Sequence, residues 1–444
     1  MKSFFSNRIF FTILLSTMAV FLTLSVSLAA EELFFHNLRA KDKKEESYVL
    51  RSNVVTINTK YVRKRLVREK GSIGLNLFDN VYLTAINESL KIEHGEEYIW
   101  RGRIVSDEGS QVIIMYNHEG MFANIFMRDE QYQIRPENGS VHAIRQISQC
   151  GFPGYSSPLT VDFSLVNHKD KAGEPEISDN GEIIDVLVVY TNAAMIAAGG
   201  MGNITGEIKM AVEVTNNACD LSGVNHRFNL VDSKLIDYDE SVNMSQNLKR
   251  LRLPDDGYMD AVHSWRNDTM ADVVVLFVDD LWSTTVGISY HMDEISTEFE
   301  QWAFAVMWWN AAVEVMAFAH ETGHILGAHH DCYDCSINEP YNYIHGYVNV
   351  EKKWFTIMAY KRACTDNGIA HCRVINYFSN PLLTYQGASL GTSDGVCQAN
   401  VAKTFNRSAK TVANFRCSTG DTATIDYKGS SAASSGCFVV NCRL

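Results

Sequence analysis

Residues 320–331 read His320-Glu321-Thr322-Gly323-His324-Ile325-Leu326-Gly327-Ala328-His329-His330-Asp331, behind the apolar segment Ala311-Ala312-Val313-Glu314-Val315-Met316-Ala317-Phe318-Ala319. Residues four apart share one face of a helix, so His320 and His324 present two imidazoles that can bind a single metal ion. Gly327 can take the positive φ that ends a helix, which lets His330 swing back as a third ligand. His329 points elsewhere on such a turn and is read as a surface or packing residue. Three nitrogens leave a fourth position for water, the arrangement of catalytic zinc, whereas structural zinc is normally closed by four protein ligands. One catalytic Zn2+ is therefore expected, lowering the pKa of its water to roughly 7 and polarising a scissile carbonyl. Glu321 would be the base that takes the water proton and passes it to the leaving amine. The chemistry is peptide-bond hydrolysis, and nothing in the sequence speaks to calcium.

Working outward, Ile183–Tyr190 and Asp272–Val278 are apolar runs of central-strand type, residues 204–219 carry helical spacing, and residues 256–265 are expected to form another helix. Strands alternating with helices predict an α/β (α+β) domain over 179–417. Residues 167–182 are polar and mark an exposed linker. Before it, short runs such as Val54-Val55-Thr56-Ile57 and Gln111-Val112-Ile113-Ile114-Met115 between turn residues predict a β-rich domain within 30–178. Lys2 and Arg8 precede the uncharged run Ile9–Leu28 and then Ala29-Ala30, a secretory signal peptide over 1–29, with an uncleaved N-terminal anchor as the alternative. Either way the chain is exported, so its ten cysteines are candidates for disulfides. Cys364 with Cys372, Cys397 with Cys417 and Cys437 with Cys442 are candidate pairs by proximity, the last within a short Ser- and Gly-rich tail over 418–444, although sequence alone does not fix the connectivity. A net charge of −13 without a basic block argues against nucleic acid as a partner.

The string His320-Glu321-x-x-His324-x-x-Gly327-x-x-His330 resembles the metzincin zinc endopeptidases, and Thr356-Ile357-Met358-Ala359-Tyr360 looks like their Met-turn. Asp331 is similar to the reprolysin (adamalysin-like) branch. A closer likeness, to secreted reprolysin-like and peptidyl-Asp-type metalloendopeptidases, rests on Ile184–Thr191, Phe378-Ser379-Asn380-Pro381 and Val412-Ala413-Asn414-Phe415-Arg416. It covers about 183–417 well and 45–150 loosely. The resemblance implies a metzincin-like catalytic domain with a mixed sheet and a zinc-binding active-site helix, with Met358 packed beneath the metal. It also implies a strand near Gly287-Ile288-Ser289-Tyr290 that pairs with an extended substrate. Tyr360 stands where astacin-like and serralysin-like enzymes carry a tyrosine that approaches zinc or stabilises the oxyanion; the alternative is plain packing. Cys150-Gly151 resembles the Cys-Gly of a cysteine switch, in which a thiolate fills the open zinc position until the propeptide is cut. The alternative is a disulfide from Cys150 to Cys219 or another partner, which an even cysteine count favours.

The expectation is a secreted zinc endopeptidase made as a latent zymogen. It comprises a signal peptide (1–29), a β-rich propeptide (30–178), a metzincin-like protease domain (179–417) and a tail (418–444). Its partners would be protein or peptide substrates and its own propeptide as inhibitor, with no nucleic acid and no stable membrane anchor after signal cleavage. The competing readings are a non-catalytic zinc-containing binding protein or toxin on the same scaffold, and a zinc amidase acting on non-protein amides. A preference for Asp at the cleavage site would rest on resemblance alone.

Overall fold

Between residues 32 and 161 the short runs of branched and aromatic residues form a nine-stranded, wholly antiparallel sheet. Its strands are β1 (Phe34–Phe35), β2 (Val49–Ile57), β3 (Ser72–Phe78), β4 (Val81–Glu93), β5 (Glu97–Ile104), β6 (Asp107–Asn117), β7 (Gly120–Phe126), β8 (Gln131–Asn138) and β9 (Val141–Ile147), with helix α1 (Thr59–Leu66) between β2 and β3. The order is β1-β2-β9-β8-β7-β6-β5-β4-β3. The computed structural model describes residues 32–36, 46–66, 71–93, 97–161, 183–240, 243–279, 284–332 and 341–416. The signal segment, the 167–182 linker, the tail and Cys335, Cys417, Cys437 and Cys442 lie outside the described residues.

The run Gln111–Met115 is apolar without alternation because both faces of β6 are covered. Val112 and Ile114 turn with Ile125, Ile134 and Trp100 into the core of this domain. Ile113 and Met115 turn the other way with Phe122 and join the core of the second domain. The N-terminal sheet is thus also one wall of its neighbour.

The second domain is built on a six-stranded mixed sheet of order β10-β14-β15-β13-β11-β12. The strands are β10 (Leu159–Thr160), β11 (Ile183–Thr191), β12 (Arg227–Ile236), β13 (Val273–Val278), β14 (Gly287–His291) and β15 (Phe304–Trp308). All neighbours are parallel except β14 and β15, which are antiparallel. The helices are α2 (Asn192–Ala198), α3 (Met201–Ser222), α4 (Met244–Arg252), α5 (Ala261–Thr269), α6 (Ala311–Glu314) and α7 (Ala317–Ile325). The expected central strands and the helix over 204–219 are therefore present. The helix expected over 256–265 begins only at Ala261, because the Asp260 carboxylate accepts from the backbone N–H groups of Asp256 and Gly257 and turns the chain there instead.

Among the described residues, disulfides join Cys332 to Cys397 and Cys364 to Cys372. The second was expected. The first corrects the proposed Cys397–Cys417 pair: the fold brings Cys397 beside a cysteine 65 residues earlier, which proximity in sequence does not reveal. Cys150 and Cys219 are both free thiols, so the alternative disulfide between them is not made.

One buried imidazole gives the fold a pH dependence. His226 is fully buried against the rings of Phe228 and Phe405, its ring nitrogens have no hydrogen-bond partner among the described residues, and burial pushes its pKa from 6.5 down to about 3. Between those values the unfolded chain takes a proton that the folded chain excludes, so this group lowers stability as pH falls below 6.5. Replacing His226 with Leu is expected to flatten the decline in Tm between pH 7 and pH 5. An unchanged decline would assign it to other groups.

Candidate active site

The apolar stretch before His320 is not one continuous helix. α6 stops at Glu314, Met316 takes a left-handed φ of 58°, and α7 restarts at Ala317 to carry His320, Glu321 and His324. After α7, Gly327 has the positive φ its position required, 85°, and the chain returns to deliver His330. His330 Nε2 lies 3.2 Å from His320 Nε2 and 3.0 Å from His324 Nε2. The structure therefore brings the three expected ligands together, all buried.

The other ring nitrogens explain the orientation. His320 Nδ1 is 2.7 Å from the Ile357 carbonyl oxygen and His324 Nδ1 is 2.8 Å from that of Ala328. With Nδ1 as the donor in each case, the Nε2 lone pairs of His320 and His324 turn toward one another. Burial is the first cause pushing His320 down to about 3 and His324 and His330 well below 6.5, so protons do not relieve this crowding. A cation does. Tetrahedral zinc with Zn–N of about 2.0–2.1 Å separates its nitrogens by roughly 3.3 Å, close to the spacings here. The triad can hold a metal ion, and its donors fit zinc.

Glu321 is buried beside the triad. Its Oε2 accepts a 2.7 Å hydrogen bond from Ser289 Oγ on β14, its Oε1 has no partner among the described residues, and burial raises its pKa from 4.5 to about 8. Met358 lies directly under α7: a Cβ added to Gly323 would fall 2.5 Å from its sulfur. Ile357, one residue earlier, supplies the carbonyl that orients His320. Tyr360 stands beside His330, ring centroids 3.9 Å apart, and its backbone N–H donates to Asp331 Oδ2 at 2.6 Å. Asp331 thus ties the turn to the third histidine. His329 pairs through its backbone with Ile344 and packs its ring 5.1 Å from His291, away from the triad's donors.

Cys150 lines the cavity beside Tyr155 and Tyr360 but does not reach the three histidine nitrogens. Its exposed thiol is 3.7 Å from the Ala370 carbonyl oxygen and 3.9 Å from His371 Nδ1, and it is not among the donors gathered at the triad. The residue that reaches the expected ligand His320 is Tyr155, five positions after Cys150. Its ring stacks on His320 with centroids 3.7 Å apart and planes 11° from parallel, and its hydroxyl donates to the Val315 carbonyl. The flanking chain is pinned to the edge of the second sheet. Val286 N–H donates to the Gly154 carbonyl at 3.0 Å, Ser156 Oγ donates to the Gly287 carbonyl at 3.0 Å, and β10 pairs parallel to β14. Ser289 and Tyr155 both escaped the sequence reading. Ser289 sits inside the strand singled out for substrate pairing, so that strand was its only signal; Tyr155 lies in a Pro-Gly-Ser turn run that offered none.

Next to Tyr155 and Tyr360 opens a cavity of about 340 Å³, lined by Val315, Phe355, Lys361, Arg362 and Val374 among others. The site as a whole is that of a hydrolytic metalloenzyme. Residues 180–379 match Reprolysin_5, metallo-peptidase family M12. The chain is 31% identical to a peptidyl-Asp metalloendopeptidase of Stenotrophomonas maltophilia, over 70% of this chain and 72% of that protein. It is 29% identical to one of Xanthomonas campestris pv. campestris, over 71% of this chain and 76% of that protein. Among solved structures, metalloproteinase-II from Bacteroides fragilis aligns with 65% of this chain and 88% of its own at 13% identity and a TM-score of 0.34. The chain belongs to the reprolysin-like metallopeptidases of family M12 and is a zinc metalloendopeptidase, a hydrolase of proteins or peptides.

Proposed function

We propose that the protein is a secreted endopeptidase that cleaves peptide bonds through a metal-activated water and is made as a latent precursor. The observation that carries this reading is the convergence of three buried imidazole Nε2 atoms beside a buried carboxylate. Zinc bound to His320, His324 and His330 would supply an acidified water and Lewis acidity toward the scissile carbonyl. Glu321 would accept the water proton and return it to the leaving amine. Tyr360, beside His330, is positioned to steady the developing oxyanion. β14 would receive the substrate backbone as an added strand. Lys361 and Arg362 at the cavity beside Tyr360 suit an acidic side chain, which supports extending to this chain the Asp preference in its relatives' names. The signal-like N-terminus and the disulfides support export.

Latency is supported by what fills the cleft. Residues 154–160 lie along β14, and Tyr155 covers His320, so substrate cannot add to that edge until this segment leaves. The N-terminal domain is on this reading a propeptide, released by a cut in 167–182. The test is zinc content and casein hydrolysis before and after limited proteolysis of that linker, with a chelator control and a non-peptide amide for comparison. We expect about one zinc per chain, casein cleavage after the cut, and its loss to chelator. Zinc without cleavage in either form would favour a binding protein, and turnover of the non-peptide amide alone would favour an amidase. In the uncut chain, Tyr155→Ala is expected to speed removal of zinc by chelator and to raise basal casein cleavage about tenfold, whereas Cys150→Ser changes neither. The opposite pattern would restore the cysteine switch.

A further inference from the structure

We propose that Ser289 is a positioning residue for the carboxylate of Glu321, an inference that rests on the reading of Glu321 as the proton acceptor. Ser289 is fully buried on β14, and its hydroxyl donates to Glu321 Oε2 at 2.7 Å. Residues two apart on a strand share a face, so Gly287 faces Glu321 as Ser289 does. An added Cβ on Gly287 would fall 2.8 Å from Cγ and Oε1 of Glu321. β14 thus meets the carboxylate with one hydroxyl and one bare Cα. The hydroxyl binds one oxygen, and the bare Cα leaves room for the other, which has no partner among the described residues.

The geometry gives the hydroxyl a specific task. The last torsion of a glutamate side chain is broad and poorly determined by its own rotamer preference. A hydrogen bond to one oxygen fixes that torsion and leaves the second oxygen free to take a proton. Ser289 is itself held, because its backbone is paired with Ala305 of β15. The strand proposed to receive the substrate is therefore also the strand that aims the base, so one rigid element sets the distance between the scissile bond and the group that services it.

The experiment uses the full chain after the linker cut, comparing Ser289→Ala, Ser289→Thr and Glu321→Gln. For Ser289→Ala we expect unchanged zinc content, KM within about twofold and kcat down by about tenfold or more, with Ser289→Thr recovering most of the loss because it keeps the hydroxyl. A readout independent of turnover is the infrared difference spectrum of the metal-free protein. Ser289→Ala should shift a carboxyl band there, and the shift should vanish when Glu321→Gln is also present. Ser289→Ala with wild-type kcat, or with no such band shift, would overturn the positioning role. If Glu321→Gln is itself fully active, the base assignment falls first; if it is inactive while Ser289→Ala is not, only the positioning role falls.

Discussion

Glu321→Ala is expected to lower kcat by about 10²–10⁴, the usual worth of a positioned general base, while zinc binding stays at its wild-type level. Two of the three expected ligands are oriented without this carboxylate: the Nδ1 atoms of His320 and His324 lie against backbone carbonyls of Ile357 and Ala328. The variant should therefore separate metal binding from turnover. Its cost to stability should be small, because an alanine removes a buried carboxylate whose charged form burial already disfavours. Glu321→Gln is the sharper companion. It keeps the length of the side chain and an oxygen to accept from Ser289, so a comparable loss of rate would be due to lost basicity rather than to a cavity. Initial rates on casein with metal analysis of the same samples decide the matter. Activity within tenfold of wild type in both variants would remove Glu321 from the reaction.

What could be read from the sequence was local. The i, i+4 pair His320 and His324, the positive-φ glycine and the returning His330 lie within one turn-and-a-loop, so spacing alone fixes their mutual geometry. The central strands Ile183–Thr191 and Val273–Val278 were equally legible, because both faces of each are buried beyond Ile183 and their runs are apolar, with Asp185 the one charged interruption. The partners that complete the site are remote. Ser289 is 32 residues before Glu321, and Tyr155 is 160 residues before the carbonyl it binds; no periodicity links them. Cys150 shows the opposite hazard: a short motif has a plausible role, yet the ring the chain lays on His320 is that of Tyr155, five residues further on. The break between α6 and α7 was hidden for a related reason. Ala311–Ala319 is a good helical run by composition, and Met316 interrupts it where Glu314 is held by groups from another domain.

That holding point carries the second large expectation. Arg135→Ala should destabilise the uncut chain by about 3–5 kcal/mol, as removal of one member of a buried ion pair does. Arg135, on β8, is 4% exposed; it donates to both Glu207 oxygens, to the Ala123 carbonyl at 2.9 Å, to Asn124 Oδ1 at 2.7 Å and to Glu314 Oε1 at 3.4 Å. Glu314 is wholly buried and also accepts from Asn124 at 3.1 Å, Gln131 at 2.6 Å and Gln133 at 2.7 Å. Two carboxylates of the protease domain are thus balanced by one guanidinium and three amides of the N-terminal sheet. Burial raises the pKa of Glu314 and Arg135 opposes that rise, so without Arg135 the charged carboxylate is left in a site that disfavours it. Adding Glu207→Gln and Glu314→Gln to Arg135→Ala should recover part of the loss, since fewer buried charges then lack a partner. Urea midpoints of the single and combined variants measure this, and an Arg135→Ala midpoint equivalent to under about 1 kcal/mol would sink the idea. The same cluster governs the fate of the two fragments once the linker is cut. Those of the wild-type chain should still co-elute, and those of Arg135→Ala should associate more weakly, because this cluster, three residues ahead of the helix bearing His320, joins the two units alongside the shared core of Ile113, Met115 and Phe122. If the N-terminal domain is a propeptide, as proposed, opening the cleft would require undocking at Glu314 as well as severing the chain.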